Sequence, residues 1–371
     1  MISNSPRARA LAAPAPHACD HGPRRRAGRM GPVAAAAALL LAGAGLASAA
    51  HADAGSGALI VTASNATLNQ LLVFNSAGTL LETIPTQGQG GVAGNAGGIA
   101  AWNGRVAVVN FGSNNVSVFA RDKGLGSLHL EQVIPTHGSP VSVAFGENHL
   151  YVLTTTQVES HPARLGGVAS AADGVVPLLH ADGSAAQVGV MTGQLVVSEK
   201  SNAIETMSLD AAGAVSGPAT LVADIPANVD APFGLVTRGD EAYVTIAHAD
   251  EISLVRNNAV LTVTPSVSQH APCWLALDGP FLFSSNSPSK TVSRYAVYGQ
   301  HVVQDAAVVA QFNGSPTDIA YNAGLAAVID SNGTQSHVSV FKVDEDGNFS
   351  LSGAGTLNSK TTNGVVVLAS D

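Results

Sequence analysis

A motif returns along this chain every 40 to 46 residues, and that period limits the fold to one class. Each copy opens with a small residue or proline leading into an apolar run. A second β-rich run follows and closes on a polar residue. A third reads like Val338-Ser339-Val340-Phe341, and a weaker fourth comes after a turn. Pro140, Pro232, Pro272 and Pro316 mark four copies; Ala96, Ala186 and Thr362 hold the matching place in three others. Four short strands at this period are the signature of a β-propeller, in which neighbouring units cover one another's faces.

The second run is the clearest. It reads Ala58–Ala63, Val106–Val109, Leu150–Leu153, Leu195–Ser198, Ala242–Ile246, Leu282–Ser285 and Ala326–Ile329, which makes seven copies. The first copy lacks a first run before Gly57. The chain ends on Asn363-Gly364-Val365-Val366-Val367-Leu368, a first run with nothing after it. The two fragments complete one another. The sequence therefore predicts an all-β, seven-bladed propeller of four antiparallel strands per blade, closed by the C-terminal strand in the N-terminal blade. The third copy is irregular after Leu153, running through His161-Pro162 and Gly166-Gly167, and an insertion over 154–175 is expected to form a loop on one face, of the kind that often carries binding.

Residues 1–52 differ in kind. Arg24, Arg25, Arg26 and Arg29 precede an apolar stretch from Val33 to Leu46, and Ala47-Ser48-Ala49 and Ala50-His51-Ala52 offer cleavage sites. This order reads as a secretory leader cut after Ala49 or Ala52, too short in its apolar part to span a bilayer. The propeller is assigned to 53–371 and expected to be exported, to the periplasm or beyond, with no membrane insertion once the leader is cleaved. Six of the 17 basic residues and one of the 26 acidic residues lie in the leader, so the remainder carries 11 against 25, a net charge of −14. That excess disfavours nucleic acid, which needs a positive face. A monomer is expected. Cys19 falls in the leader, so Cys273 beside Trp274 is expected as a lone buried thiol.

Candidate site residues follow from the repeat. The polar residue closing the second run is Asn65, Asn110, Thr154, Glu199, Asn286 or Asp330, with Ile246 the exception. Just before the first runs stand His137, Asp182, Asp230, His270 and Asn313. Both sets open on one face, so they are expected to ring a polar channel mouth, the default place for a ligand. Polar residues at strand ends also serve turns, since their side chains bond local backbone. Glu199, Asp330, Asn110 and Asn286 are oxygen donors of the kind Ca²⁺ takes, yet no close-spaced ligand motif accompanies them, and no cofactor or metal is expected. His137 or His270 at the mouth could act as general base towards water. No nucleophile elbow, P-loop or dinucleotide fingerprint occurs.

The stretch Ala271-Pro272-Cys273-Trp274-Leu275-Ala276-Leu277, followed by Leu282-Phe283-Ser284-Ser285-Asn286 and Thr291-Val292-Ser293-Arg294-Tyr295, resembles the bacterial seven-bladed lactonase-like propeller family. Asn110 to Phe119 and Val338 to Phe341 with Asp346-Gly347 are similar to the same blade pattern, and the resemblance spans nearly all of 53–371. It implies the propeller fold and, through His137-Gly138-Ser139-Pro140, a weak match to the family's histidine loop. The family's founding activity is hydrolysis of a phosphorylated gluconolactone, which would want Arg or Lys where this ring is neutral to acidic. Two functions are therefore expected. The first is an exported binding or scaffold propeller holding a small molecule, glycan or protein at the channel mouth. The alternative is a lactonase-type hydrolase opening a lactone by general-base water attack.

Overall fold

The computed structural model describes residues 57–122, 126–226, 231–357 and 359–370. The expected leader and Asp230 lie outside the described residues. Seven antiparallel sheets follow one another, one for each repeat. Their inner strands are Asn363–Leu368, Ile99–Trp102, Pro140–Phe145, Ala185–Met191, Pro232–Arg238, Pro272–Asp278 and Ser315–Asn322. Each packs beside the next, and the last packs on the closing strand, so the sheets form a seven-bladed propeller ring. The closure expected from the sequence is present. Asn363–Leu368 pairs antiparallel with Leu59–Ala63, setting Val61 opposite Val366, and Thr62 Oγ1 donates to Gly364 O at 2.5 Å.

Burial explains why the second run is the strongest sequence signal. Second strands such as Arg105–Asn110, His149–Thr154 and Glu241–Ile246 are buried at every residue, because blades cover both of their faces. The outermost strands instead alternate, as in Ala259–Pro265, and read weakly for that reason. Cys273 is buried, as expected.

The two faces of the disc differ. One, called here the entry face, carries the loops leading into the inner strands and the turns from second to third strands. The other carries the remaining hairpins. The irregular third blade does not extend the entry face. Its third strand, Gln157–Arg164, pairs with both Gly167–Val168 and Gly174–Pro177, and the extra residues lie at the opposite end. There Arg105 donates to Arg164 O and Leu165 O, and Gln132 Nε2 to Val168 O, tying the insertion to blade 2.

Five of the inner strands share one irregularity. Close to the entry face their register with the second strand slips, between Pro140 and Ser142, Ala185 and Gln187, Pro232 and Leu235, Pro272 and Trp274, and Pro316 and Asp318. Such bulges release backbone groups from the ladder and turn them aside. Side chains of neighbouring blades take many of these groups. Val188 N donates to Ser142 Oγ, Leu235 N to Gln187 Oε1, and Val365 N to Asp318 Oδ2 (3.2, 2.7 and 3.1 Å).

Two outcomes test this packing. Deleting residues 362–371 removes buried Val365, Val367 and Leu368 together with the ladder that closes the ring, so the truncated chain should melt well below the intact one; equal melting temperatures would refute closure. A Cβ on Gly234 would sit 2.1 Å from Cys273 O and 3.0 Å from Trp274 Cα, so Gly234→Ala should cost about 1–3 kcal/mol in denaturant unfolding.

Candidate functional site

The entry-face mouth of the channel is filled by the protein's own chain. Residues 88–98, a glycine-rich stretch before the inner strand of blade 2, cross onto the axis. Asn95 shows this most directly. Its side chain donates to Val141 O of blade 3 and accepts from Asn363 Nδ2 of blade 1, while its carbonyl accepts from Trp274 Nε1 of blade 6. One residue touching three separated blades has to lie at the centre. Ala96 N donates to Ala186 O and Lys200 Nζ to Gly94 O, at 3.1 and 2.6 Å. Val141 O and Ala186 O are bulge carbonyls, so the plug satisfies groups that the bulges set free. Asn95 and Ala96 are buried to 1 % exposure. The void left beside the plug, between Asn65, Val92 and Asn363, is only about 10 Å³.

The expected ring has been absorbed largely into this framework. Asn65 Oδ1 accepts from Gly91 N and Val92 N, and its Nδ2 donates to Val92 O, so it pins the plug. The fit is close: a Cβ on Gly90 would lie 2.4 Å from the Asn65 carbonyl carbon, and one on Gly88 2.3 Å from Asn110 Cγ. Asn110 uses its amide completely, accepting from Asn69 and Thr86 and donating to Asn115 and Ser117. Asn286 is likewise bonded to Ser284, Thr291 and Ser293. Thr154 closes its own turn through Gln157. Asn313 is exposed, and its carbonyl receives Lys290 Nζ. Ile246 belongs to an apolar cluster with Val244 and Val255. The four oxygen donors considered for Ca²⁺ thus sit in four different blades, and among the described residues no group of three His, Cys, Asp or Glu side chains is placed to hold a metal ion.

What stands out on the entry face is a set of histidines oriented by carboxylates. His137 Nδ1 lies 3.3 Å from Glu159 Oε2, His270 Nδ1 2.9 Å from Asp250 Oδ2, and His337 Nδ1 3.2 Å from Asp330 Oδ2. The first two imidazoles are 71 % exposed. Their carboxylates differ. Asp250 is itself 37 % exposed, whereas Glu159 is fully buried. Burial alone would push the Glu159 carboxyl up, but the neighbouring His161 and His137 imidazoles together with hydrogen bonds from Gln157 Nε2 and His137 N outweigh it and hold the group down at about 2. His137 N and Gln157 Nε2 both donate to Oε1 at 2.9 Å. Glu159 is thus a buried anion fixed through Oε1, with Oε2 set 3.3 Å from His137 Nδ1, within ion-pair reach.

A second carboxyl pair lies in blade 4. Glu205 accepts from Leu179 N and His180 N, and beside it Glu199 is fully buried with Oε1 unpartnered. Burial first, then the Glu205 carboxylate, pushes Glu199 up to about 9, so it is a neutral acid at pH 7. Lys200, next in sequence, is pulled down to about 8 by burial against the plug. Sequence reasoning singled out Glu199 and His137 but missed Glu159 and Glu205. Their signal was available: they stand on the third strand where Ser117, Ser253 and Ser293 stand in other blades.

No family model and no curated protein matches the chain. Solved structures do. The periplasmic gluconolactonase of Pseudomonas aeruginosa aligns at TM-score 0.61 and 15 % identity over 85 % of this chain and 99 % of that one. A Bacteroides uniformis protein provisionally assigned as a 6-phosphogluconolactonase aligns at 0.61 and 16 % identity, over 84 % and 99 %. A Desulfotomaculum acetoxidans protein of unknown function aligns at 0.62 and 13 %, over 85 % and 100 %. The structural neighbours are lactonase-like seven-bladed propellers, some of unknown function. At these identities the likeness is one of fold, and the chemistry has to be argued from the side chains of this chain.

The Glu199 proton gives a signed prediction. In the folded chain the carboxyl keeps its proton to about pH 9, against an ordinary value of 4.5. The stability it contributes is complete below pH 4.5 and falls as pH rises towards 9. Glu199→Gln holds the neutral form permanently. Its melting temperature should match that of the parent near pH 5 and exceed it increasingly between pH 6 and about 9, as read by thermal melts across pH. Parallel curves would show that Glu199 is ionised in the fold.

Proposed function

We propose that the protein is a lactonase-type hydrolase that works outside the cytoplasm and opens a neutral lactone by general-base attack of water at His137. One observation carries the reading: an exposed imidazole whose Nδ1 lies 3.3 Å from a fully buried carboxylate kept anionic. That is the base-and-orienter half of hydrolytic sites. Water attacks the lactone carbonyl carbon while His137 Nε2 takes its proton. The ring C–O bond then breaks, and the imidazolium returns the proton to the leaving alkoxide, giving the hydroxy acid. Glu159 is a positioning residue, because it acts through His137. His270 with Asp250 repeats the arrangement, but water competes for its exposed carboxylate. No Arg or Lys side chain bonds to His137 or Glu159 among the described residues, which favours an uncharged lactone over a phosphorylated one. The fold likeness to a periplasmic gluconolactonase supports both the reaction class and, together with the leader-like residues 1–52, the exported location.

A second reading is favoured by the plug. With the mouth filled, the entry face is a shallow platform suited to binding a small molecule, a glycan or a protein without turnover.

A panel of neutral five- and six-membered lactones, followed by acid release, separates the two. Turnover is expected, and His137→Ala should lower kcat by about 10²–10⁴ while leaving the melting temperature unchanged, since the side chain is exposed. Glu159→Gln should lower kcat with little change in KM. A larger loss in His270→Ala than in His137→Ala would move the base to blade 6. Saturable binding across the panel with no acid release would establish the platform instead.

A further inference from the structure

The third blade carries an imidazole where other blades carry core. Opposite the second residue of each second strand, the third strands of blades 2, 4, 5, 6 and 7 place Phe119, Met207, Val255, Tyr295 and Phe341, all buried. In blade 3 the same place, opposite Leu150, is His161, 1 % exposed. It stands two residues beyond Glu159 on the strand, so the two side chains share a face. A buried imidazole has lost its water and needs partners. Nδ1 lies 3.1 Å from Ala169 O. A carbonyl only accepts, so Nδ1 holds a proton. The insertion of this blade supplies that carbonyl: Ala169 N donates to Pro162 O, which returns the chain to the strand. Nε2 lies 3.7 Å from Glu159 Oε2, and neither of these two buried atoms makes a hydrogen bond.

We propose that His161 is protonated on both ring nitrogens and balances the Glu159 charge, which keeps His137 free to act as a base. Its part in turnover rests on the hydrolase reading of His137. An unprotonated Nε2 would turn a lone pair towards a carboxylate oxygen with no donor between them. A proton there gives both orphaned atoms a partner and makes an ion pair of what would be a lone buried anion. The effect reaches His137, whose Nδ1 is 3.3 Å from the same oxygen. A carboxylate with no other cation beside it would hold a proton on His137 and leave the ring a poor base near neutral pH. With the charge met by His161, that pull is weaker. His161 is a positioning residue, because it acts through Glu159. The other charges around this strand are paired elsewhere. Val152, Val175 and Leu150 stand opposite Glu159 and His161 in the sheet, and none of them titrates. From blade 2, Arg105 donates to Arg164 O and pairs with Glu131 at 2.7 Å. On the strand's other face, towards blade 4, His149 pairs with Asp173 at 2.9 Å, Asp173 accepts from Ser160, and Tyr151 donates to Gly213 O.

The test is nitrogen-15 NMR of the histidine rings in the full chain, with the rings assigned from the backbone. At pH 7 both His161 nitrogens are expected at the shift of protonated nitrogen. An unprotonated Nε2 overturns the proposal, and this measurement needs no variant to fold. His161→Phe introduces the residue that blades 2 and 7 hold at this place, and should fold. In it the midpoint of the His137 titration should rise by about one unit. His161→Gln keeps a donor without the charge and should shift the midpoint the same way. A His137 midpoint unchanged in both folded variants also overturns the proposal. Where a lactone is turned over, the acid limb of kcat/KM should move up with that midpoint, and a limb that stays in place removes His161 from the reaction. Absence of turnover would sink the hydrolase reading while the NMR result still decides the charge on His161.

Discussion

Everything on the axis of this molecule depends on the free edges of its inner strands. Each blade pairs its inner strand on one side only, and the other side faces the channel with backbone groups that need partners. Bulges close to the entry face add to the number by releasing Val141 O and Ala186 O. The chain satisfies them in two ways. Ser142, Gln187 and Asp318 reach across blade boundaries, and the segment 88–98 enters the channel itself. An unpaired buried carbonyl is costly, and here the arrangement that avoids it also closes the channel.

That solution governs where chemistry can occur. Of the polar side chains at the ends of the second strands, Asn65, Asn110, Thr154 and Asn286 are consumed in holding turns and plug. Asn65 does bind a polypeptide segment, and the segment is its own plug. Groups left with free valence are therefore one step farther out, on the loops into the inner strands and at the start of the third strands. His137 and Glu159 are of this kind: one on a loop, exposed, and the other on a strand, buried and ionised. A flexible donor fixed by a rigid anion is a better catalytic arrangement than a ring of saturated amides.

Much of the fold was legible because burial repeats. Second strands are apolar at every position as they are covered on both sides, so seven copies could be counted and the split first copy recognised. The site was only half legible. His137, His270, Glu199 and Asp330 could be picked out by their place in the repeat, yet the pattern does not separate a group that bonds its neighbours from one that is free. Asn110 and Asn286 occupy the same repeat position as Glu199 and Asp330 but spend both amide protons on neighbouring side chains.

By itself, then, the sequence determined the blade count, the strand that closes the ring and the face on which polar residues gather, because these follow from the period and from local alternation of burial. Tertiary structure alone decided what fills the channel. Gly88 to Gly98 reads as an ordinary glycine-rich loop, and its destination depends on bulge carbonyls in blades 3 and 4 and on Trp274, up to 179 residues away in the chain. Glu159 became an orienting anion only once folding stripped it of water and aimed hydrogen bonds at it, and no local pattern encodes that balance.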